Sequence, residues 1–201
     1  KDVAEVARDL HYQLHRVEET YGLEPHDRDD VFERLRDLLQ RLHQRTGQPV
    51  VLLVDEYEKP LLNVLEKPEQ AQPVQESLRQ LYAAIRDSDA HLRFVLLTGV
   101  SLFAKERICS ELADLNDITL DPAYSAICGF TEAEVDQVFG VELAGLDREL
   151  IRHWYQGYSW GGEFVYNPSD LLLFCKQGFR NYWFEAGTPS FLVAARARPA
   201  F

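Results

Sequence analysis

The sequence predicts an α/β fold: a parallel sheet flanked by helices, followed by a small helical subdomain. Three observations predict it. Val50 to Val54 form an unbroken apolar row between Pro49 and the acid pair Asp55-Glu56. That run is too short for a helix and suits a strand buried on both faces. A second mostly apolar run spans Leu92 to Val100. Between them Val74, Leu78, Leu81, Tyr82 and Ile85 recur at helical spacing, so residues 50–98 read strand, helix, strand. Two strands joined through a helix form a right-handed, parallel βαβ unit.

The elements follow in order. Val3, Val6, Ala7, Leu10, Leu14, Val17 and Tyr21 step by threes and fours and mark one face of a first helix. His11 and His15 lie four apart on it, but no third ligand is near in sequence, which argues against a metal site. Residues 22–29 are turn-rich. Asp29 or Asp30 then caps a second helix to about Thr46, with Val31, Leu35, Leu38, Leu39 and Leu42 inward and Gly47 ending it. After the first strand, Leu61 to Leu65 read as helical and Glu66 to Pro73 as a loop. The third long helix ends near Asp87-Ser88.

Further on, Arg107 and Cys109 fall in a segment expected to be helical to Leu115, and Ala123 to Cys128 reads as a short strand. Thr131 and Glu134 form a capping box for a helix through Phe139. Asp147 opens another, with Leu150, Ile151, Trp154 and Tyr155 inward. Asn167-Pro168 supplies the N-cap and first residue of a helix to about Gly178, with Leu171, Leu172 and Phe174 buried. Thr188-Pro189 repeats the device. The aromatic residues from Trp154 to Phe191 read as a small core of Trp154, Tyr158, Trp160, Tyr166, Tyr182, Trp183 and Phe184. A base-stacking surface is the alternative. The expected division is residues 1–130 and 131–201.

Composition excludes several classes. The 201 residues are 46% hydrophobic and 27% charged, ordinary for a globular protein with a real core. The net charge of −12 disfavours phosphate backbones and anionic membranes. Arg34, Arg36, Arg41 and Arg45 share their helix with acids and form no basic run, so direct nucleic-acid binding is not expected. No apolar run approaches a membrane span. Cys109, Cys128 and Cys175 are odd in number and widely spaced, which fits a reducing, cytoplasmic setting. The chain starts at Lys1 and contains no methionine, so a fragment of a longer protein is expected, although a chain of this length can also lack methionine by chance.

The chemistry concentrates at the strand ends. A buried parallel strand that ends in two carboxylates delivers them to the carboxyl edge of a sheet, where open α/β folds bind ligands. That is the pattern of a Walker B element, in which the Asp holds Mg²⁺ and the Glu polarises the attacking water. A core strand capped by solvated acids has the same pattern. Thr98 stands at the tip of the second strand, where its hydroxyl could position that water. Thr98-Gly99 could equally turn the chain.

Six ordered motifs extend the pattern. They are Val-Asp-Glu-Tyr-Glu-Lys-Pro-Leu-Leu (54–62), Leu-Arg-Phe-Val-Leu-Leu-Thr-Gly-Val-Ser-Leu-Phe (92–103), Asn-Asp-Ile-Thr-Leu-Asp-Pro-Ala-Tyr-Ser-Ala-Ile-Cys-Gly-Phe-Thr (116–131), Trp-Tyr-Gln-Gly-Tyr-Ser-Trp (154–160), Val-Tyr-Asn-Pro (165–168) and Phe-Arg-Asn-Tyr-Trp-Phe-Glu-Ala-Gly-Thr-Pro-Ser-Phe-Leu (179–192). Together they resemble the AAA-ATPase-like family, whose members carry a P-loop ATPase domain, usually followed by a PD-(D/E)XK nuclease-like domain. The resemblance covers most of residues 45–193. It implies a partial P-loop NTPase (AAA-like) sheet followed by a helical lid. Asp55 is then the Mg²⁺-side carboxylate, Glu56 the catalytic base and Thr98 the sensor of an ATP hydrolase. Arg107, Arg152 and Arg180 are its candidate γ-phosphate contacts, from the lid or a neighbouring molecule, with a surface or ion-paired role as the alternative. Relatives of AAA type often form rings, which makes a homo-oligomer one option and leaves the oligomeric state open. Two positions depart from the family pattern: Glu58 stands where Asp is usual, and Leu102 where a lysine is.

Two parts of that pattern do not occur. A Walker A loop needs Gly-Lys followed by Ser or Thr. None of Lys1, Lys59, Lys67, Lys105 and Lys176 follows a glycine. The nuclease signature needs an acid two residues before a lysine; Tyr57, Leu65, Phe103 and Phe174 occupy those places. The expected partners are therefore an upstream P-loop segment and a downstream nuclease-like domain. ATP and Mg²⁺ are expected in the whole protein, with no tight binding by these residues alone. Without the P-loop strand, Leu92–Thr98 would present an unpaired apolar edge, expected to be covered by later segments or a neighbouring molecule. The second functional class is an ATPase-derived interaction scaffold without turnover. Nucleotide binding by an upstream-extended chain separates the two.

Overall fold

The computed structural model describes residues 3–26, 28–62, 64, 68–99 and 115–182. The chain divides into two compact units, Lys1–Leu115 and Asn116–Phe201. The second begins upstream of residue 131 because the 116–130 segment is tied into it: Phe130 makes an antiparallel bridge to Tyr166.

In the first unit α1 spans Val3–Tyr21 and α2 spans Val31–Thr46. Asp30 caps α2, its side chain accepting from Phe32 N and Glu33 N, and Gly47 closes it with φ 67°. That left-handed conformation is cheap for glycine alone. Val31, Leu35, Leu38, Leu39 and Leu42 are all buried, as their spacing predicts. On α1 the fully buried residue is an acid, Glu18, while Tyr21 at the end of the expected apolar face is exposed. Glu18 takes the Arg34 guanidinium at 2.6 Å, which joins α1 to α2 through an ion pair.

Strand β1 (Val50–Val54) pairs in parallel with β2 (Leu92–Leu97), with Leu52 opposite Val95 and Val54 opposite Leu97. Between them lie α3 (Lys59–Leu62) and α4 (Pro68–Asp87). The expected loop at 66–73 is in part the first turns of α4, which carries Pro73 inside it. Leu61, Val64, Val74, Leu78, Tyr82 and Ile85 form the core, with Leu52, Val95 and Leu97 packed against it.

The expectation that β1 is buried on both faces is corrected. Val51 is 52% exposed, Leu53 65% and Phe94 53%. The helices cover one face of the two-stranded sheet, so alternate side chains point away from them. Among the described residues no third strand pairs with either edge, and the cover expected over β2 is not among them.

In the second unit, Asp121 caps a 3-10 turn at Pro122–Tyr124. The expected strand at 123–128 is thus a run of turns, fixed by the Asp-Pro pair that opens it. Helix α5 (Glu132–Phe139) carries the full Thr131/Glu134 capping box, and α6 (Arg148–Tyr155) is capped by Asp147. An antiparallel hairpin, β3 (Gln156–Ser159) with β4 (Phe164–Tyr166), follows, then α7 (Pro168–Gln177) behind its Asn167 cap. The helical reading missed this hairpin. The core of this unit is Val135, Phe139, Ile151, Tyr155, Tyr166, Leu171, Phe174 and Tyr182. Leu150, Trp154 and Leu172 on these helices and Trp160 in the hairpin turn are exposed rather than inward, while Ile151, Tyr155, Leu171 and Phe174 take the buried positions. Thr188-Pro189, Trp183 and Phe184 lie outside the described residues. No described helix is long and apolar enough to cross a membrane.

Candidate functional site

The parallel register sets the site. Val54 and Leu97 are opposite each other, so the chain leaves both strands side by side. Thr98 N donates to Val54 O at 2.9 Å, and Tyr57 N donates to Thr98 O at 3.1 Å. These two bonds continue the ladder past the last strand residues.

Asp55 and Thr98 meet there. The Thr98 hydroxyl donates to Asp55 Oδ1 at 2.5 Å. The same oxygen accepts the Glu56 N–H at 2.9 Å. Glu56 is adjacent, with φ 52°, the one described non-glycine residue with a positive φ. Its carboxylate is held by Lys59 Nζ at 2.5 Å. The structure therefore brings Asp55, Glu56 and Thr98 to one rim.

Under the rim lies a third acid. Glu58 is 1% exposed, and a Cβ built on Gly99 would stand 2.1 Å from its Oε2. Gly99 leaves the space that the Glu58 carboxyl fills. Tyr82 packs close by. Burial raises its hydroxyl pKa far above the ordinary range, with Tyr57 and Glu58 adding to the shift. A cavity of about 460 Å³ opens beside the rim, lined by Asp55, Glu56 and Lys59 and by Leu10, Leu35 and Leu78 of the surrounding helices.

The proposed phosphate contacts fare differently. Arg107 lies outside the described residues, as does Cys109. Arg152 in the second unit is engaged by Glu132 at 3.3 Å and by Glu149. Glu132 also takes Arg148 at 2.7 Å and the Tyr166 hydroxyl at 2.7 Å. Burial would raise the Glu132 pKa, but the Tyr166 hydroxyl and the two guanidinium groups outweigh it and hold the carboxyl below its usual range. Arg180 is exposed, and its backbone N–H and C=O both meet the Tyr155 hydroxyl.

His11 and His15 both meet other side chains. His11 Nδ1 meets Arg34 at 3.2 Å, and His15 lies against Glu18 and Glu19. Among the described residues no three His, Cys, Asp or Glu side chains are grouped to hold a metal.

A family model described as a predicted AAA-ATPase matches residues 1–109. The chain belongs to the AAA-ATPase-like family. The match takes in α1 to β2 and the whole rim. A curated protein of Azotobacter chroococcum mcd 1, named "Uncharacterized protein in vnfD 5′region", is 56% identical over 161 residues. The aligned stretch is 80% of this AAA-ATPase-like chain and 31% of that protein, so the chain spans under a third of the relative it matches. No solved structure matches.

Sequence reasoning did not find Lys59 or the fit of Glu58 to Gly99. The first was legible as an acid and a base three apart at the start of a helix. The second was not, because Glu58 and Gly99 are far apart in sequence and only the strand pairing joins them.

Proposed function

We propose that this AAA-ATPase-like chain is the Walker B and sensor part of a P-loop ATP hydrolase, completed by a Walker A segment outside these 201 residues. The observation that carries the reading is the Thr98–Asp55 hydrogen bond at the tips of two parallel strands, with Glu56 next in the chain. Parallel α/β sheets bind ligands at that edge.

Asp55 suits a Mg²⁺ ion. Mg²⁺ keeps several waters and takes one or two carboxylates plus substrate phosphates, so it does not require the group of three protein ligands that is absent among the described residues. When bound, that ion would supply charge neutralisation on the phosphate oxygens. Glu56 orients the attacking water and takes its proton. The water oxygen bonds to the γ-phosphorus, the bond to the β,γ-bridging oxygen breaks, and ADP leaves. Thr98 holds Asp55 in place from the neighbouring strand.

The experiment uses the chain extended upstream through its P-loop. Glu56→Gln should retain bound Mg-ATP and stop turnover; unchanged turnover removes Glu56 from the role of base. Residues 1–201 alone should bind Mg-ATP negligibly, and tight binding by them would overturn the division of labour.

A further inference from the structure

Lys59 sits four residues after Asp55, and its ammonium holds the Glu56 carboxylate at 2.5 Å. Both side chains are at least half exposed, so this pair adds little to stability. Its placement is more informative than its strength. The Glu56 backbone is pinned: its N–H is on Asp55 Oδ1, the next N–H is on Thr98 O, and its own C=O accepts Lys59 N at 2.9 Å. With φ at 52°, Glu56 sits in a conformation that costs a non-glycine residue free energy. The rim thus fixes where the carboxylate starts, and Lys59 is the cation that meets it there. Asp55, Glu56 and Lys59 line the same cavity.

We propose that Lys59 is a ligand-operated latch on Glu56: it pairs with the carboxylate while the site is empty and transfers to the terminal phosphate of a bound nucleoside triphosphate, which releases Glu56 to face water. This rests on the ATPase reading. A lysine ammonium is a mobile point charge and a good phosphate partner. A phosphate with two negative charges outcompetes a single carboxylate for it. Lys59 is a positioning residue for Glu56 and a binding residue for the ligand. No bond is made or broken in the exchange, and the one ion pair is replaced by another.

The test is a double-mutant cycle read as the Kd for Mg-ATP in the upstream-extended chain, with no turnover needed. Glu56→Gln abolishes the resting pair, so Lys59 is available from the start and binding tightens. Removing one negative charge near the phosphates also tightens binding without Lys59, and the cycle subtracts that part. The tightening caused by Glu56→Gln should be about threefold to fivefold larger with Lys59 present than with Lys59→Gln, the scale of an exposed ion pair. Lys59→Arg should keep the coupling, because it keeps the charge. Equal tightening in the two backgrounds overturns the latch and leaves the ATPase reading standing. Failure of the parent to bind Mg-ATP overturns that reading and the latch with it.

Discussion

Thr98 donates its hydroxyl proton to Asp55 Oδ1 at 2.5 Å, across the gap between two parallel strands. Backbone bonds on either side fix the two residues in register, so the contact follows from the sheet itself. Thr98→Val keeps the shape and removes the donor. Its stability cost should be about 0.5–1.5 kcal/mol. On the proposed ATPase reading, turnover of the upstream-extended chain should fall by roughly a hundredfold while the Kd for Mg-ATP stays within about threefold. Thr98→Ser should recover most of the rate. Steady-state kinetics beside equilibrium nucleotide binding checks the pattern, and a Thr98→Val enzyme with parent turnover would remove Thr98 from the site.

Gly99 and Glu58 fill one space between them. A Cβ on residue 99 would lie 2.1 Å from Glu58 Oε2 and 2.6 Å from its carboxyl carbon. Glu58 is buried, so its carboxyl has little room to retreat. Gly99→Ala should cost about 1–3 kcal/mol, measured by urea denaturation. Glu58→Ala should cost less in the Gly99→Ala background than in the parent, because there it also removes the clash. Additive costs would show that the two residues do not share the space.

The sheet was legible in the sequence because both strands are apolar runs closed by polar tips, and a run of that kind has few other uses. The acid pair was legible for the same reason: Asp55 and Glu56 follow the last apolar residue directly. The open face of β1 was not. A continuous apolar row has no periodicity with which to say how many faces are covered, and Val51 and Leu53 read the same as Leu52. Nor was the hairpin at 156–166, whose Gly161-Gly162 turn joins two strands of only four and three residues. Leu150 and Trp154 fit an apolar helix face by spacing, yet Ile151 and Tyr155 alone fill the contact.

Glu18 and Arg34 join α1 to α2 in a pair that excludes water from the carboxylate entirely. Burial pushes the Glu18 pKa up, but the Arg34 and Arg41 guanidinium groups and a backbone bond pull it further down, and the net shift is below the ordinary 4.5. A depressed folded-state value means the unfolded chain binds the proton first. The stability that Glu18 contributes is therefore whole above pH 4.5 and is lost as pH falls through the folded-state value. Glu18→Gln should cost about 3 kcal/mol at pH 7 by leaving Arg34 without its counter-charge. That cost should shrink as the denaturation series moves into acid. A penalty independent of pH would mean that packing, not charge, is what Glu18 provides.

Asp170 presents the opposite case. It is fully buried at the start of α7, and neither carboxylate oxygen has a hydrogen-bond partner among the described residues. Burial raises its pKa above the ordinary 3.8. Here the folded state holds the proton more tightly, so stability falls as pH rises from 3.8 through the raised value and then levels off. Asp170→Asn should stabilise the chain by about 1–3 kcal/mol at pH 7, with the advantage fading in acid. Thermal melts of the parent and the variant at pH 7 and pH 4 decide it. An Asp170→Asn protein destabilised at both would give Asp170 a charged partner instead.

Glu56 is held with φ at 52°, a region that costs a residue with a Cβ about 1–2 kcal/mol. Glycine relieves that strain, although it returns about 0.4–1 kcal/mol to the unfolded chain as entropy. Glu56→Ala keeps the strain and loses the Lys59 pair; Glu56→Gly loses the same pair and the strain too. The Glu56→Gly protein should therefore be more stable than the Glu56→Ala protein by about 1 kcal/mol, and on the proposed ATPase reading both should lack turnover in the upstream-extended chain. The comparison isolates the backbone, because the carboxylate is absent from both. Equal stability of the two variants would mean that the loop relaxes to a negative φ once the carboxylate is gone, and that the Lys59 pair holds the turn in its left-handed form.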